Sequence, residues 1–302
     1  MRTQLAGAVV ALMIFAGTQS AVAGGVETIN AKSLYPEGPL WLDGKALYVE
    51  YSGHTVMAWD GKTNAQIWKQ DGCGPAALAK VPEGLLVTCY DTSTLVTISL
   101  DGKTLDTTDS AKAGVSLKGV NDLAPDGKGG IYMSASGVFD VAAPIEGTVV
   151  YRAPDGSFHE VANDIHYSNG MAVTDGGKSL LVSEMLAARV LKFDVAADGS
   201  LSNRRVFVRL KDVVADPEGA DAYYGPDGLK VGASGNVYIA QNGGASILVV
   251  SPEGKLVRQL PVPGKYVTNV GFGADEGTLI VTAATDPWNA PYPGEVYLVE
   301  NK

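Results

Sequence analysis

The chain has 302 residues, 46% of them apolar, and carries 23 Lys and Arg against 33 Asp and Glu, a formal net charge of −10. So acidic a chain, with no basic cluster and no RNA-binding signature, excludes nucleic acid as its natural partner. Its apolar content, arranged in regular short runs, excludes a disordered polymer.

The first 23 residues hold one charge, Arg2, then an apolar run of about a dozen residues, then Ala21-Val22-Ala23. This is the order of a secretory signal peptide, and the run is short for a bilayer span. Cleavage before Gly24 is expected, giving a periplasmic or secreted protein without stable membrane insertion; an uncleaved anchor is the alternative. No later stretch is long and apolar enough to cross a membrane, and residues 24–302 are read as one domain.

Beyond the leader, short apolar runs rich in β-branched and aromatic residues recur in chain order: "ALYVEY", "GLLVTCY", "GIYMSAS", "SLLVSE", "NVYIAQ" and "TLIVTAA". Each follows a turn-like segment such as "LDGK", "VPEG" or "TDGGK", and each precedes a second run such as "TVMAWD", "TLVTISL" or "RVLKFDV". These are strand signals, and nothing between them has helical periodicity. Six copies of one turn-strand-turn-strand module predict an all-β fold, a six-bladed β-propeller, with a β-sandwich as the alternative. "VETIN" near residue 26 and "GEVYLVE" near the C-terminus both read as strands, so one blade is expected to be completed from both ends of the chain.

Cys73 and Cys89 are the two cysteines. They lie symmetrically about Val81 in the turn "KVPEG", so paired antiparallel strands bring them opposite one another. A disulfide is expected, with two buried thiols as the alternative. Two cysteines alone do not make a zinc site.

Aligning the modules on their first strands places Glu37, Cys73, Asn121, Asn169, Asp227 and Asn269 at one shared position near the strand start. Innermost strands of a propeller line its channel, so these side chains are expected to ring one mouth. Five of the six carry an oxygen, as a hard cation such as Ca²⁺ requires. Asn, Asp and Gly also gather at strand starts because they make turns. Glu37 is a poor turn former in the same register, which favours the ring. Asn169-Gly170 marks the start of one inner strand, with the glycine expected to let the backbone approach the axis.

At these residues the sequence resembles the senescence marker protein, regucalcin, gluconolactonase and luciferin-regenerating enzyme family. The likeness runs through "YPEGPLW", "VNDLAPDGKGGIYMS", "SNGMAVTDGGKSLLVSE", "GPDGLKVGASGNVYIA" and "TNVGFGADEGTLIVTAA" in order. It implies a six-bladed propeller with one divalent cation in its channel, hydrolysing a lactone or related ester. Glu37, Asn169 and Asp227 correspond to metal ligands, and Asn121 reaches the metal directly or through water. Asn121, Asp122, His166, Tyr224 and Asn269 are then expected near substrate. Oxygen-only ligands favour Ca²⁺, with Zn²⁺ or Mn²⁺ as alternatives. Several sugar-lactone members have an Arg two residues before the Asn of Asn-Asp; here that position is Gly119, which shifts the expectation toward a less polar lactone or ester. Tyr223, Tyr224, Trp288 and Tyr292 fall in loops that could line such a pocket.

Under this resemblance Asp227 is the catalytic residue, as base or as nucleophile. His166 is either a proton shuttle or a loop histidine held by a turn; His54 and His159 look structural. Glu184 is expected to pair with Arg189. No GxSxG occurs, so a serine hydrolase is unsupported. A propeller that binds ligand or protein without turnover, and a strictosidine synthase-like propeller, are the other functional readings.

Overall fold

The computed structural model describes residues 25–302. The signal-peptide expectation for residues 1–23 lies outside the described residues, among which no helix is long and apolar enough to cross a membrane.

The fold is all-β and propeller-like, built of antiparallel meanders. Four meanders form separate four-stranded sheets whose first strands are Pro36–Leu42, Pro75–Val81, Val120–Pro125 and Ser168–Thr174. An eight-stranded sheet holds the rest. Within it, Gly225–Val231 opens one meander that runs to Leu256–Pro261, and Tyr266–Phe272 opens another; a single pair, Asn242 with Tyr266, joins them. The second of these meanders is completed by Pro293–Glu300 pairing with Val26–Leu34, so both ends of the described chain meet in one sheet as the sequence suggests. Each first strand packs on the first strand of the next meander, and Tyr266–Phe272 packs on Pro36–Leu42, which closes a ring.

Burial follows from this arrangement. First strands are buried at their start, whereas outer strands such as Val26–Leu34 and Thr104–Thr108 face solvent along much of their length. Apolar side chains fill the gaps between neighbouring meanders. Leu47, Val49, Val56, Leu78, Val87 and Val96 form one such layer, and Ala172, Leu181, Leu229, Ile239 and Leu248 another. A fully buried side chain of this kind contributes about 1.5–3 kcal/mol, so the ring is held by its inter-sheet layers as well as by hydrogen bonds within each sheet.

Every first strand breaks register just after it begins: between Glu37 and Leu40, Pro75 and Leu78, Val120 and Leu123, Ser168 and Met171, Pro226 and Leu229, and Val267 and Asn269. A bulge bends a strand and re-aims a side chain. Here it does so at the same place in each meander.

Cys73 and Cys89 form a disulfide. They are not opposite one another, as symmetry about Val81 suggests. Pro75 pairs with Cys89, and the Asp91 N–H donates to the Cys73 carbonyl at 3.1 Å, so Cys73 lies before the strand and bonds diagonally across the hairpin.

Candidate active site

Asn169 and Gly170 show how the ring is built. Gly170 is not a turn glycine, since its φ is ordinary; a Cβ there would lie 2.3 Å from the Asp227 carbonyl oxygen and 2.6 Å from the Gly228 Cα. Gly228 is equally crowded, its virtual Cβ falling 2.0 Å from Asn269 Oδ1, and Gly38 presses on Ala77. Glycine follows Glu37, Asn169 and Asp227 because neighbouring inner strands touch there. The residue before each glycine is then turned by the bulge toward the mouth.

At that mouth lies a cavity of about 230 Å³ whose floor includes Glu37, Asn121, Asn169 and Asp227. These four are brought together as the sequence suggests. Two of the six aligned positions are not. Ala76, rather than Cys73, occupies the corresponding place in its strand and lines the cavity. In the last meander Thr268 takes it, because the bulge between Val267 and Asn269 moves Asn269 one residue inward. A one-residue shift turns a side chain to the other face, which accounts for Asn269, whereas Cys73 lies three residues before Ala76 and ahead of the strand.

Asn269 instead supports the floor. Its Nδ2 donates to Glu37 Oε2 at 3.0 Å, and the Gly38 N–H donates to the same oxygen at 3.1 Å. Glu37 Oε1 has no hydrogen-bond donor among the described residues. Asp227 is held likewise: Asn242 Nδ2 donates to Oδ2 at 2.8 Å, while Oδ1 is buried without a partner. Burial and the Asp227 charge raise the Glu37 pKa well above the ordinary carboxylate range, against the two donated hydrogen bonds. Burial first, then the Asp122 charge, pushes Asp227 up to about 8 despite the hydrogen bond from Asn242.

Asp122 does not line the cavity. It lies behind the floor, accepting from the Leu123 N–H at 2.7 Å and the Met171 N–H at 3.2 Å, with Lys230 Nζ 3.8 Å away. Tyr224 is outside as well, its hydroxyl accepting from Gln241 Nε2 at 2.8 Å in a neighbouring crevice. His166 does not line the cavity either; its N–H donates to Glu184 Oε1 at 2.9 Å. Glu184 also accepts from Arg189 Nε at 2.5 Å, the structural pairing expected for it.

Reasoning from sequence anticipates Trp288 and Tyr292 in the walls and misses the rest of them. Tyr35, Tyr51, Tyr90, Phe139, Tyr167 and Met185 all line the cavity, with Trp288 and Tyr292. Some were discoverable. Tyr51, Tyr90, Met185 and Asn242 each follow the residue that pairs with a strand-opening Pro36, Pro75, Ser168 or Pro226, so one register position supplies three wall residues and the Asp227 donor. Tyr35 and Tyr167 directly precede two first strands at φ 50° and 64°, a left-handed conformation that non-glycine residues rarely adopt and that gathers at functional sites.

Among the described residues no three His, Cys, Asp or Glu side chains cluster at metal-binding spacing. The floor instead offers two carboxylates and two amides. That donor set fits a hard cation, and two mutually repelling carboxylates with free oxygens are chemically suited to one.

Residues 35–285 match the SMP-30/gluconolactonase/LRE-like region model. The chain belongs to that family. An uncharacterized protein of Sulfolobus acidocaldarius is 32% identical over 135 residues, covering 44% of this chain; the match spans 46% of that relative's length. Lactonase drp35 of Staphylococcus saprophyticus is 26% identical over 236 residues, 74% of this chain and 68% of the relative. Regucalcin of Xenopus laevis is 26% identical, with 87% and 89% covered. Among solved structures, a gluconolactonase of Xanthomonas campestris superposes with a TM-score of 0.75 at 20% identity, covering 94% of this chain and 93% of that one. A calcium-binding regucalcin of Agrobacterium tumefaciens superposes at 0.69 and 19% identity, with 91% and 93% covered. These two likenesses establish the shared propeller-like fold.

Proposed function

We propose that this member of the SMP-30/gluconolactonase/LRE-like family is an exported, metal-dependent lactonase or esterase on a six-bladed propeller. The blade count is supported by the closed ring of first strands, with the single Asn242–Tyr266 pair taken as a bridge between two blades. The observation that carries the activity is the half-satisfied pair of carboxylates. Glu37 and Asp227 each have one oxygen fixed by a side-chain amide and the other free beside the cavity. Glu37, Asn121, Asn169 and Asp227 are the residues that would hold one divalent cation, with Ca²⁺ favoured by their oxygens. The calcium-binding neighbour and the lactonase relative are consistent with this.

When bound, such a cation supplies Lewis acidity toward an acyl oxygen and lowers the pKa of water. The chain's own contribution is orientation and proton handling. Asn242 and Asn269 fix the two carboxylates, and the aromatic walls limit water. Asp227 Oδ1 takes the proton of the attacking water, or itself attacks the acyl carbon; single turnover in H₂¹⁸O, with the label sought in product or in Asp227, separates the two. Export is supported by the leader sequence and by the Cys73–Cys89 disulfide, which suits an oxidising compartment.

The test is hydrolysis of a lactone panel by mature protein before and after chelation, with Ca²⁺, Zn²⁺ or Mn²⁺ restored. Activity should disappear with the metal and return with one ion. Full activity in the chelated protein would overturn the metal dependence, and metal-loaded protein inert toward every lactone and ester would overturn the hydrolase.

A further inference from the structure

The walls carry information about substrate that the floor does not. Ring contacts run unbroken around the mouth: Tyr292 with Tyr35 at 6.4 Å, Tyr35 with Tyr51 at 5.6 Å, Tyr51 with Tyr90 at 6.2 Å, and Tyr90 with Tyr167 at 6.4 Å. From Tyr167 the chain of rings climbs to Phe139 at 4.8 Å, then to Tyr223 at 4.9 Å and Trp288 at 5.2 Å. The lower rings stand at the ends of strands. The upper three come from three separate loops, and nothing in the core requires those loops to meet.

Each loop is nevertheless fixed. Glu146 accepts from the Val138 N–H at 3.3 Å and pairs with Lys118 at 2.6 Å, which holds the loop bearing Phe139. Asp221 Oδ1 accepts from the Tyr223 N–H at 2.9 Å, and Asp286 Oδ1 from the Trp288 N–H at 3.0 Å. The upper rings are thus positioned before any ligand arrives, and rigid aromatics lose little entropy on binding. Beside them the surface is apolar: Val138, Val141 and Ile145 are exposed on the Phe139 loop, and Trp288 is 49% exposed on its own.

Among the described residues the floor cavity contains no Lys, Arg or His in its lining, and Lys265, the one cation of the neighbouring crevice that Phe139, Tyr223 and Trp288 line, sits over the Tyr266 ring at 5.3 Å. Gly119, where an Arg would hold a polyol or an anion, is itself crowded, a Cβ there falling 2.6 Å from the Gly137 carbonyl oxygen. A carboxylate or phosphate inside the cavity finds no cation in its lining, and the Tyr51 and Tyr90 hydroxyls already donate to Asp91 at 2.7 Å and the Gly137 carbonyl at 2.9 Å, so these rings offer a ligand aromatic surface rather than a free donor.

We propose that Phe139, Tyr223 and Trp288 form a clasp that selects uncharged lactones or esters bearing a flat aromatic ring. This rests on the hydrolase reading above and specifies its substrate class. The ring stacks in the clasp while the ester group reaches down to Asp227, between walls that exclude water.

The experiment compares kcat/KM for dihydrocoumarin, δ-valerolactone, glucono-δ-lactone and the cationic α-amino-γ-butyrolactone. It uses the calcium-loaded protein and its Phe139→Ala and Trp288→Ala variants. Offset or edge-to-face ring pairs of this kind support a preference of about tenfold for the aryl lactone, falling toward one in the variants. The variants also open the wall, so δ-valerolactone serves as the reference within each variant, and the test reads the ratio of dihydrocoumarin to δ-valerolactone kcat/KM rather than either rate alone. Calorimetry with 2-tetralone, which has no ester to cleave, against cyclohexanone reads the clasp without turnover. Tetralone binding that Trp288→Ala abolishes, with no lactone hydrolysed, would keep the clasp and sink the hydrolase. Hydrolysis with equal or better rates on the sugar, cationic or alkyl lactone would keep the hydrolase and overturn the clasp.

Discussion

Replacing Asp227 by Asn should stabilise the metal-free protein while abolishing metal binding. In the metal-free state two buried carboxylates face one cavity, and Asp227 is displaced from 3.8 to about 8. A group whose folded pKa is raised holds a proton that the unfolded chain has released, so stability is present below the unfolded pKa and is lost as pH rises toward the folded one. The window here runs from about pH 4 to about pH 8. At pH 7 the displacement corresponds to about 4 kcal/mol at roughly 1.4 kcal/mol per unit, and relaxation or water entering the cavity leaves about 2 kcal/mol. Asn keeps the acceptor that Asn242 needs and removes the charge. Thermal unfolding of chelated wild type and Asp227→Asn between pH 5 and 8.5 should show the wild-type Tm falling with pH and the variant nearly flat. The gap should reach about 4–8 °C at pH 8, with calcium raising the wild type alone. A variant that melts lower than wild type throughout, or a wild type indifferent to pH, would refute the repulsion on which the site argument stands.

Reducing the Cys73–Cys89 bond, which closes a separation of 16 residues, should cost up to about 3 kcal/mol and lower the Tm in dithiothreitol; an unchanged Tm would mean that the hairpin is fixed by its inter-sheet layer alone. Gly170→Ala places a methyl against the Asp227 and Gly228 backbone, so it should destabilise by at least about 1–3 kcal/mol and weaken calcium binding. Gly156→Ala, at φ 88° with open space around its Cβ, should cost only about 1–2 kcal/mol and leave binding intact. Equal losses of binding in both variants, measured by calorimetric titration, would show that the Gly170 contact does not position the floor.

The repeat was legible because propeller strands are short, apolar and evenly punctuated by turns, and because Glu37, Asn121, Asn169 and Asp227 recur at one position of it. Exact register was not legible. A bulge near the start of each first strand inserts a residue that no hydropathy pattern reveals, which puts Thr268 where the repeat suggests Asn269; Cys73 stands three residues before Ala76, ahead of its strand altogether. The diagonal course of the disulfide is hidden for a related reason, because symmetry about Val81 ignores that Val81 pairs with Gly84 across a turn at residues 82 and 83. Phe139, and its meeting with Tyr223 and Trp288, escape for a different reason. Phe139, Tyr223 and Trp288 lie in loops of unequal length that share no repeat position, and only the closed ring brings Tyr223 to 4.9 Å from Phe139 and 5.2 Å from Trp288. Tyr51 and Tyr90 were accessible, had second strands been aligned by their last residues as first strands were by their first.

Comparison among the buried carboxylates is what separates a site from a structural network. Five are buried among the described residues: Glu37, Glu50, Asp122, Glu184 and Asp227. Glu50 has Ser33 on one oxygen and Thr55 on the other. Asp122 has the Leu123 and Met171 N–H groups, and Glu184 has His166 N–H and Arg189. In each of these three, both oxygens are bonded, as the cost of desolvating a carboxylate demands. Glu37 and Asp227 break the rule together, on strands of one cavity separated only by Tyr266–Phe272, and each keeps an amide on a single oxygen. Structural acceptors would be satisfied as Glu50, Asp122 and Glu184 are. On the function proposed above, two free oxygens held toward the same space are the arrangement a divalent cation would complete, and the amides of Asn242 and Asn269 would keep them aimed at it.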